Sequence, residues 1–209
     1  MTTILFDLDG TLINTASIVL PAFKHTLEHF HVPVPDDRAL LSTFGMPDDD
    51  IWKMLMPEAD EDIRKTAFRQ AESRITQAMF EHDILIPHTR DVLRGLLDRG
   101  HTLTTASNCG IGYLNAVLDS QDIRQFFTKP LCLELVGGST KADILTEHFR
   151  SFEKEECVMV GDRSSDVQAA KTHGIRVIGC ELGFGSAAEL TDADIVVHDL
   201  RELLPIFTV

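Results

Sequence analysis

The chain has 209 residues, of which 44% are hydrophobic and 25% are charged, and its 33 acidic and 19 basic side chains give a formal net charge of −14. This composition excludes a disordered chain and a membrane protein. The negative charge argues against nucleic acid or an anionic membrane as a partner, because both attract positively charged surfaces.

The cysteine pattern and the N-terminus indicate a cytoplasmic protein. The four cysteines are widely spaced and form no C-x-x-C pair, which suits a reducing compartment better than a disulfide scaffold or a zinc knuckle. The apolar run Ile4–Phe6 ends at Asp7 and is too short for a signal peptide. No stretch approaches the ~18 apolar residues of a membrane-spanning helix.

Short apolar segments alternate with segments of helical periodicity over most of the chain. The predicted strands are Ile4–Phe6, His101–Ser107, Cys157–Val160, Ile175–Cys180 and Ile195–Val197. The predicted helices that alternate with them are Arg90–Asp98, Gly112–Leu118, Lys141–Phe149, Ser164–Thr172 and Arg201–Leu204. This alternation predicts an α/β core with a Rossmann-like, doubly wound parallel sheet.

One long segment after the first predicted strand contains no convincing strand. Its apolar residues form two stripes at helical spacing: Val19, Phe23, Leu27 and Phe30, and then Ile63, Ala67, Ala71, Ile75 and Met79. Pro21 marks the first helix as kinked or as beginning later than its pattern suggests. We predict an all-helical domain, 14–87, inserted into a discontinuous α/β core formed by 1–13 and 88–209.

Polar side chains follow the predicted strands at the edge where ligands bind in open parallel sheets. These residues are Asp7, Asp9, Thr11, Ser107, Asn108, Asp162 and Asp166, with Lys141 at the start of a helix. Carboxylates that crowd together repel one another, and a divalent cation removes that conflict. Because the ligands are hard oxygen atoms, the expected cofactor is Mg²⁺.

The spacing of the first two carboxylates lets one side chain attack a substrate while the other handles protons. Asp7 and Asp9 are two residues apart, so both side chains point to one face of an extended backbone. Asp7 can attack phosphorus and form an aspartyl phosphate, while Asp9 protonates the leaving alkoxide and later deprotonates water. Lys141 can neutralise the charge that builds up on the transferred group, and Ser107 and Asn108 can donate to its oxygens.

These residues resemble, in order, the four motifs of the haloacid dehalogenase-like hydrolase superfamily. The matching segments are Asp7-Leu8-Asp9-Gly10-Thr11-Leu12, Ser107-Asn108, Lys141 and Gly161-Asp162-Arg163-Ser164-Ser165-Asp166. The helical insert resembles that superfamily's first cap type. The segments from Val160 to Gly174 and from Gly183 to Leu190 are similar to the C-terminal pattern of its phosphoglycolate phosphatase-like members.

The resemblance implies a role for each motif residue. It implies that Asp7 is the nucleophile and a metal ligand, and that Asp9 is an acid/base whose backbone carbonyl also meets the metal. Asp162 would be the third protein ligand. Asp166 would either bind the metal through a water or orient Lys141.

The resemblance also implies a cap that closes over the substrate and selects it. The specificity loop of this cap would be Phe44-Gly45-Met46-Pro47, and we expect Gly45 and Thr11 to contact the substrate. The chain departs from the usual family pattern at three places: Asn14-Thr15 in place of Asp-Ser, no proline after Lys141, and Arg163 beside Asp162. None of these departures removes a catalytic group.

The sequence therefore predicts a Mg²⁺-dependent phosphatase that acts on a small phosphorylated metabolite through an aspartyl phosphate. A phosphoglycolate-like phosphate monoester is the leading substrate, and the enzyme is expected to be a monomer or a homodimer. The alternatives are a pyrophosphatase or a sugar phosphomutase of the same superfamily. A catalytically idle binding domain is a further alternative, against which the intact set of motif residues argues.

Overall fold

The computed structural model describes residues 1–44, 46, 48–183 and 185–208. By its contacts the chain divides into two compact units, one of Met1–Asn14 with Leu85–Val209 and one of Thr15–Ile84. The described residues of the second unit form helices and the turns between them, whereas the first unit contains a sheet. That the helical unit acts as a cap stays a prediction.

Four helices are formed by the described residues of the helical unit. They are α1 (Ala16–His29), α2 (Asp37–Leu41), α3 (Asp48–Leu55) and α4 (Glu61–Glu81). Helix α4 packs against α1 and α3, and the ring centroids of Phe23 and Trp52 lie 5.3 Å apart. Asp60 caps α4, because its carboxylate accepts a hydrogen bond from the Ile63 amide at 2.8 Å.

Three details of the predicted helices are wrong. Helix α1 begins at Ala16, before Pro21, so the expectation of a later start fails: the missing N–H of Pro21 removes one hydrogen bond near the start of the helix, and the buried stripe outweighs that loss. Phe30 lies just beyond the end of α1. Ile63 is 40% exposed, so it belongs to the first turn of α4 but not to its buried face.

The other unit is built on a parallel sheet. Its strands are β1 (Thr3–Phe6), β2 (Thr102–Ser107), β3 (Leu131–Cys132), β4 (Cys157–Gly161), β5 (Arg176–Cys180) and β6 (Ile195–Val197). The strands lie in the order β3-β2-β1-β4-β5-β6, and every pair is parallel. The predicted α/β class is therefore confirmed, although the two-residue strand β3 was not predicted.

Helices lie along this sheet and bury it. They are α5 (Thr89–Asp98), α6 (Ile111–Ser120), α7 (Leu133–Val136), α8 (Lys141–His148), α9 (Ser164–His173) and α10 (Leu203–Ile206). Helices α8 and α9 cover Leu5, Met159 and Val177 on one face of the sheet. Because strand residues alternate between faces, Ile4 and Val160 point to the opposite face, and both are also fully buried.

The topology creates a crevice at one end of the sheet. The chain moves outward from β1 through β2 to β3 and then returns to β4 on the other side of β1. Ligands bind at such a reversal, outside the carboxyl ends of the strands. None of the helices in the described part of the chain has the length and apolar composition that a membrane span needs.

A buried histidine makes the stability of the core sensitive to acid. His148 is fully buried on α8, and its Nε2 donates a hydrogen bond to the Thr105 carbonyl oxygen at 2.8 Å. Its Nδ1 is buried and has no hydrogen-bond partner among the residues that the structure describes. A proton added there would leave a desolvated charge, so burial lowers the pKa of His148 to about 4.

We expect the free energy of unfolding to fall as pH falls from 7 to 4. The unfolded chain takes up a proton at a pKa near 6.5, whereas the folded state resists protonation until about 4, so acid favours unfolding by about 3 kcal/mol. Urea titrations at several pH values measure this dependence. His148→Gln keeps a hydrogen-bond donor for the Thr105 carbonyl oxygen but cannot take up the proton, so its free energy of unfolding should change less between pH 7 and pH 4. An equal pH dependence in the two proteins would contradict the assignment to His148.

Candidate active site

Three carboxylates meet at the carboxyl ends of β1 and β4, on the two sides of the topological reversal. Asp7 directly follows β1, and its amide still donates to the Val160 carbonyl oxygen of β4 at 2.9 Å. Asp162 follows β4, and Asp166 lies in the first turn of α9. One oxygen from each of these three carboxylates lies within 4.8 Å of the others, and all three residues are at most 5% exposed.

Lys141 is the cation that lies between two of these carboxylates. Its Nζ lies 2.9 Å from Asp7 Oδ1 and also forms an ion pair with Asp166 Oδ1. The residue is 4% exposed, although it opens a helix. Burial alone would lower the pKa of Lys141, but the charges of Asp166 and Asp7 outweigh burial and raise it. Lys141 is therefore positively charged at every physiological pH.

Asp166 has a second structural contact that fixes its position. Its Oδ2 accepts a hydrogen bond from the Arg163 amide at 2.9 Å, which caps the N-terminus of α9. Gly161 makes room for this side chain, because a Cβ atom at residue 161 would lie 2.2 Å from Asp166 Cγ. The ion pair with Lys141 favours the orienting role among the two roles that the sequence allowed for Asp166.

Asp162 contacts one hydroxyl group and one guanidinium group among the described residues. Its Oδ1 accepts a hydrogen bond from Thr11 Oγ1 at 3.5 Å, and the Arg163 Nε lies 3.7 Å from Oδ2. Arg163 also pairs through Nη1 with Glu189 Oε1 at 3.1 Å, so its charge is shared. Burial, followed by the charges of Asp7 and Asp166, raises the pKa of Asp162 to about 8.

This donor set fits a hard divalent cation. The grouped ligands in the described part of the chain are carboxylate oxygens, without histidine or cysteine, which is the chemistry that Mg²⁺ prefers. Burial, and after it the charges of Asp7 and Asp166, disfavours the ionised form of Asp162 and raises its pKa. A cation beside Asp7 and Asp162 would favour the ionised form again.

Asp9 lies beside this cluster and has a different environment. Its carboxylate is not one of the three grouped ligands among the described residues, and the residue is half-buried. The Tyr113 hydroxyl donates a hydrogen bond to Asp9 Oδ1 at 2.5 Å. The acid/base role of Asp9 and a contact of its backbone carbonyl with a metal both stay predictions.

The structure describes three of the residues that were predicted to bind the substrate, Thr11, Ser107 and Asn108, but not the fourth, Gly45. Thr11 is buried and contacts Asp162, as described above. Ser107 is the buried last residue of β2, the strand next to β1, and Asn108 follows it on the surface. Gly45 lies outside the described residues, so its predicted contact with the substrate is not addressed by the structure.

Three residues near the site were not singled out for it by their sequence pattern. Tyr113 contacts Asp9, and Glu189 binds both the Arg163 guanidinium and, at 3.3 Å, the Ser164 amide. Gly185 lies against Asp162, because a Cβ atom there would approach the Asp162 carbonyl oxygen to 2.1 Å. Of these residues, Glu189 could have been suspected from the unusual Arg163, because a positive charge beside a metal site needs an acidic side chain to balance it.

Comparison with known proteins shows the family to which the chain belongs. A sequence profile of the haloacid dehalogenase-like hydrolases matches residues 4–180. The phosphoglycolate phosphatase of Salmonella typhimurium is 26% identical over 96% of this chain and 90% of its own length. The crystal structure of a predicted phosphatase from Clostridium acetobutylicum is 27% identical, with a TM-score of 0.81 and coverage of 98% of this chain and 97% of that one.

A candidate β-phosphoglucomutase from Thermotoga maritima shares the fold, with a TM-score of 0.82 over 99% of this chain and 98% of that chain, but it is only 21% identical. At that identity the likeness concerns the fold and not the reaction. The profile, in contrast, spans the strand-end motifs that form the carboxylate cluster. The chain belongs to the haloacid dehalogenase-like hydrolases.

Proposed function

We propose that the protein is a Mg²⁺-dependent phosphatase that hydrolyses a small phosphate monoester through an aspartyl phosphate on Asp7. The observation that carries this proposal is the buried ion pair of Lys141 with Asp7 and Asp166 beside a third carboxylate, Asp162. It supports the proposal because a carboxylate that can act as nucleophile, a lysine that can neutralise the phosphoryl oxygens and further oxygen ligands lie together at one strand edge.

The proposed reaction proceeds in two half-reactions. In the first, an oxygen of Asp7 attacks phosphorus, the bond from phosphorus to the alkoxide breaks, and Asp9 gives its proton to the departing oxygen. In the second, Asp9 takes a proton from water, the water oxygen attacks phosphorus, and the carboxylate of Asp7 leaves. Lys141 holds Asp7 in position and neutralises charge on the phosphoryl oxygens in both steps.

The proposed magnesium site is formed by the side chains of Asp7 and Asp162 and the backbone carbonyl of Asp9, with Asp166 at its edge, where it orients Lys141. When bound, Mg²⁺ supplies positive charge that offsets the carboxylates and lets a phosphate group approach them. The deprotonated form of Asp162 is the one that binds a cation, so cation binding opposes the raised pKa of this residue.

A phosphoglycolate-like monoester is the leading substrate. This proposal is supported by the alignment with the phosphoglycolate phosphatase of Salmonella typhimurium, which spans 96% of this chain and 90% of that relative. We further propose that the helical unit, Thr15–Ile84, acts as the cap that selects the substrate. Pyrophosphate and sugar phosphates are the alternatives, and a phosphomutase would isomerise a sugar phosphate rather than release phosphate.

Phosphate release with and without Mg²⁺ tests this function. The substrates are phosphoglycolate, p-nitrophenyl phosphate, pyrophosphate and glucose 1-phosphate, the last supplied with a sugar bisphosphate and followed for isomerisation. We expect Mg²⁺-dependent release, fastest from phosphoglycolate. A folded chain without turnover on any substrate would support the binding-domain alternative, and dominant isomerisation would support the mutase.

Asp162→Asn tests the metal site separately. Removing one charged ligand should raise the Mg²⁺ concentration for half-maximal rate by at least about tenfold, because the amide binds a hard cation more weakly than a carboxylate. Asp119→Asn is the matched control, since Asp119 lies on the exposed end of α6 and pairs only at the surface with Arg124. An unchanged Mg²⁺ titration for Asp162→Asn would show that the metal site lies elsewhere.

A further inference from the structure

The side chain of Tyr113 connects the first turn of α6 to the proposed acid/base. Its hydroxyl donates to Asp9 Oδ1 at 2.5 Å, across 104 residues of sequence. This length lies in the range of a hydrogen bond from a hydroxyl to an ionised carboxylate, which is roughly twice as strong as one between neutral groups. The contact is partly buried, so solvent competes with it only weakly.

The backbone that carries Tyr113 is itself anchored. The amide of Ile111, the first residue of α6, donates to Glu134 Oε2 at 2.7 Å. Gly110 allows this approach, because a Cβ atom at residue 110 would lie only 3.0 Å from that oxygen. Leu114 and Val117 are buried and attach the same helix to the core. The hydroxyl of Tyr113 therefore has a defined position at the site.

We propose that Tyr113 is a positioning residue for Asp9. The hydrogen bond occupies Oδ1 and fixes the rotation of the carboxylate, so that Oδ2 is the atom that gives a proton to the leaving alkoxide and later takes one from water. Tyr113 keeps its own proton throughout both half-reactions. This inference rests on the proposed phosphatase function and adds a residue that none of the family motifs contains.

The leaving group of the substrate distinguishes positioning from a merely structural role. An alkoxide needs a proton as it departs, whereas p-nitrophenolate is stable without one. The kcat/KM value reports the steps up to departure of the alcohol. Tyr113→Phe should therefore lower kcat/KM by about tenfold for an alkyl phosphate such as phosphoglycolate and by less than about threefold for p-nitrophenyl phosphate.

A double-mutant cycle with Asp9→Asn tests whether the two residues act together. On the Asp9→Asn background, the further change Tyr113→Phe should alter the remaining rate by less than about twofold, because the amide at residue 9 neither gives nor takes a proton and its orientation no longer matters. Ser120→Ala removes a hydroxyl from the far end of the same helix and should leave both rates unchanged. Equal losses for both substrates, or losses that multiply in the double variant, would overturn the proposal.

The chain contains a single tyrosine, which allows a readout that needs neither substrate nor metal. Protein made with 3-fluorotyrosine carries its ¹⁹F label at residue 113 alone. We expect the ¹⁹F resonance to move in Asp9→Asn and to stay in place in Asp119→Asn. A resonance that does not respond to Asp9→Asn would overturn the proposal. If Asp9→Asn itself leaves turnover intact, the proposed phosphatase mechanism fails instead, which is a separate result.

Discussion

Asp7→Asn should abolish phosphate release and leave the protein folded. The amide has the shape of the carboxylate but is a very weak nucleophile, so we expect kcat to fall by at least about a thousandfold. The substitution also removes one of three carboxyl groups that are buried with oxygens within 4.8 Å of one another. Lys141 keeps its ion pair with Asp166. The melting temperature should therefore stay equal to that of the wild type or rise.

Turnover and thermal melts of the same preparations measure both expectations. Asp37→Asn is the matched control, because Asp37 is an exposed aspartate paired with Lys24 in the helical unit. It should change neither turnover nor melting temperature. If Asp7→Asn retained more than about a tenth of the wild-type rate, a carboxylate at residue 7 would not be the nucleophile.

Lys141→Met should damage both activity and stability. The methionine side chain fills a similar volume but leaves Asp7, Asp162 and Asp166 buried without the lysine charge. Removing one partner from a buried ion pair typically costs about 3 kcal/mol or more, because the remaining charges are uncompensated. The loss of the cation for the phosphoryl group should lower kcat by about a hundredfold or more.

The comparison with Lys171→Met isolates the effect of burial. Lys171 pairs with Asp194 at 2.6 Å, but both side chains are exposed, so its loss should cost less than about 1 kcal/mol. Mg²⁺ should restore part of the stability of Lys141→Met, since it binds the carboxylates that the lysine leaves. Urea titrations with and without Mg²⁺ measure these differences. Equal stability of the two variants would contradict the buried network.

Much of the core could be predicted because its strands are continuous apolar runs. Cys157–Gly161 and Arg176–Cys180 are buried along almost their whole length, so periodicity and turn residues located them to within one residue. Leu131–Cys132 has only two residues and no pattern of its own. It becomes a strand because it lies beside β2, with Ala106 paired to Leu131, and such tertiary pairing is invisible in a short segment.

The carboxylate cluster could be predicted for a different reason. Parallel strands end at one edge of the sheet, so residues directly after β1 and β4 must come together. Tyr113 and Glu189 could not be located in this way, because they lie inside or after later helices and reach the site through helix orientation. The pairing of Asp9 with Tyr113 depends on which side of α6 faces Asp9, which the local pattern does not specify.

The most direct test of the mechanism is whether Asp7 carries the phosphoryl group during turnover. Wild-type protein with Mg²⁺ and substrate is quenched in acid, and the acyl phosphate is reduced with borohydride, which converts a phosphorylated aspartate to homoserine. Peptide mass analysis should find this conversion at residue 7 and should not find it in Asp7→Asn. Sustained turnover with residue 7 unmodified, or with the phosphoryl group on another side chain, would contradict the mechanism.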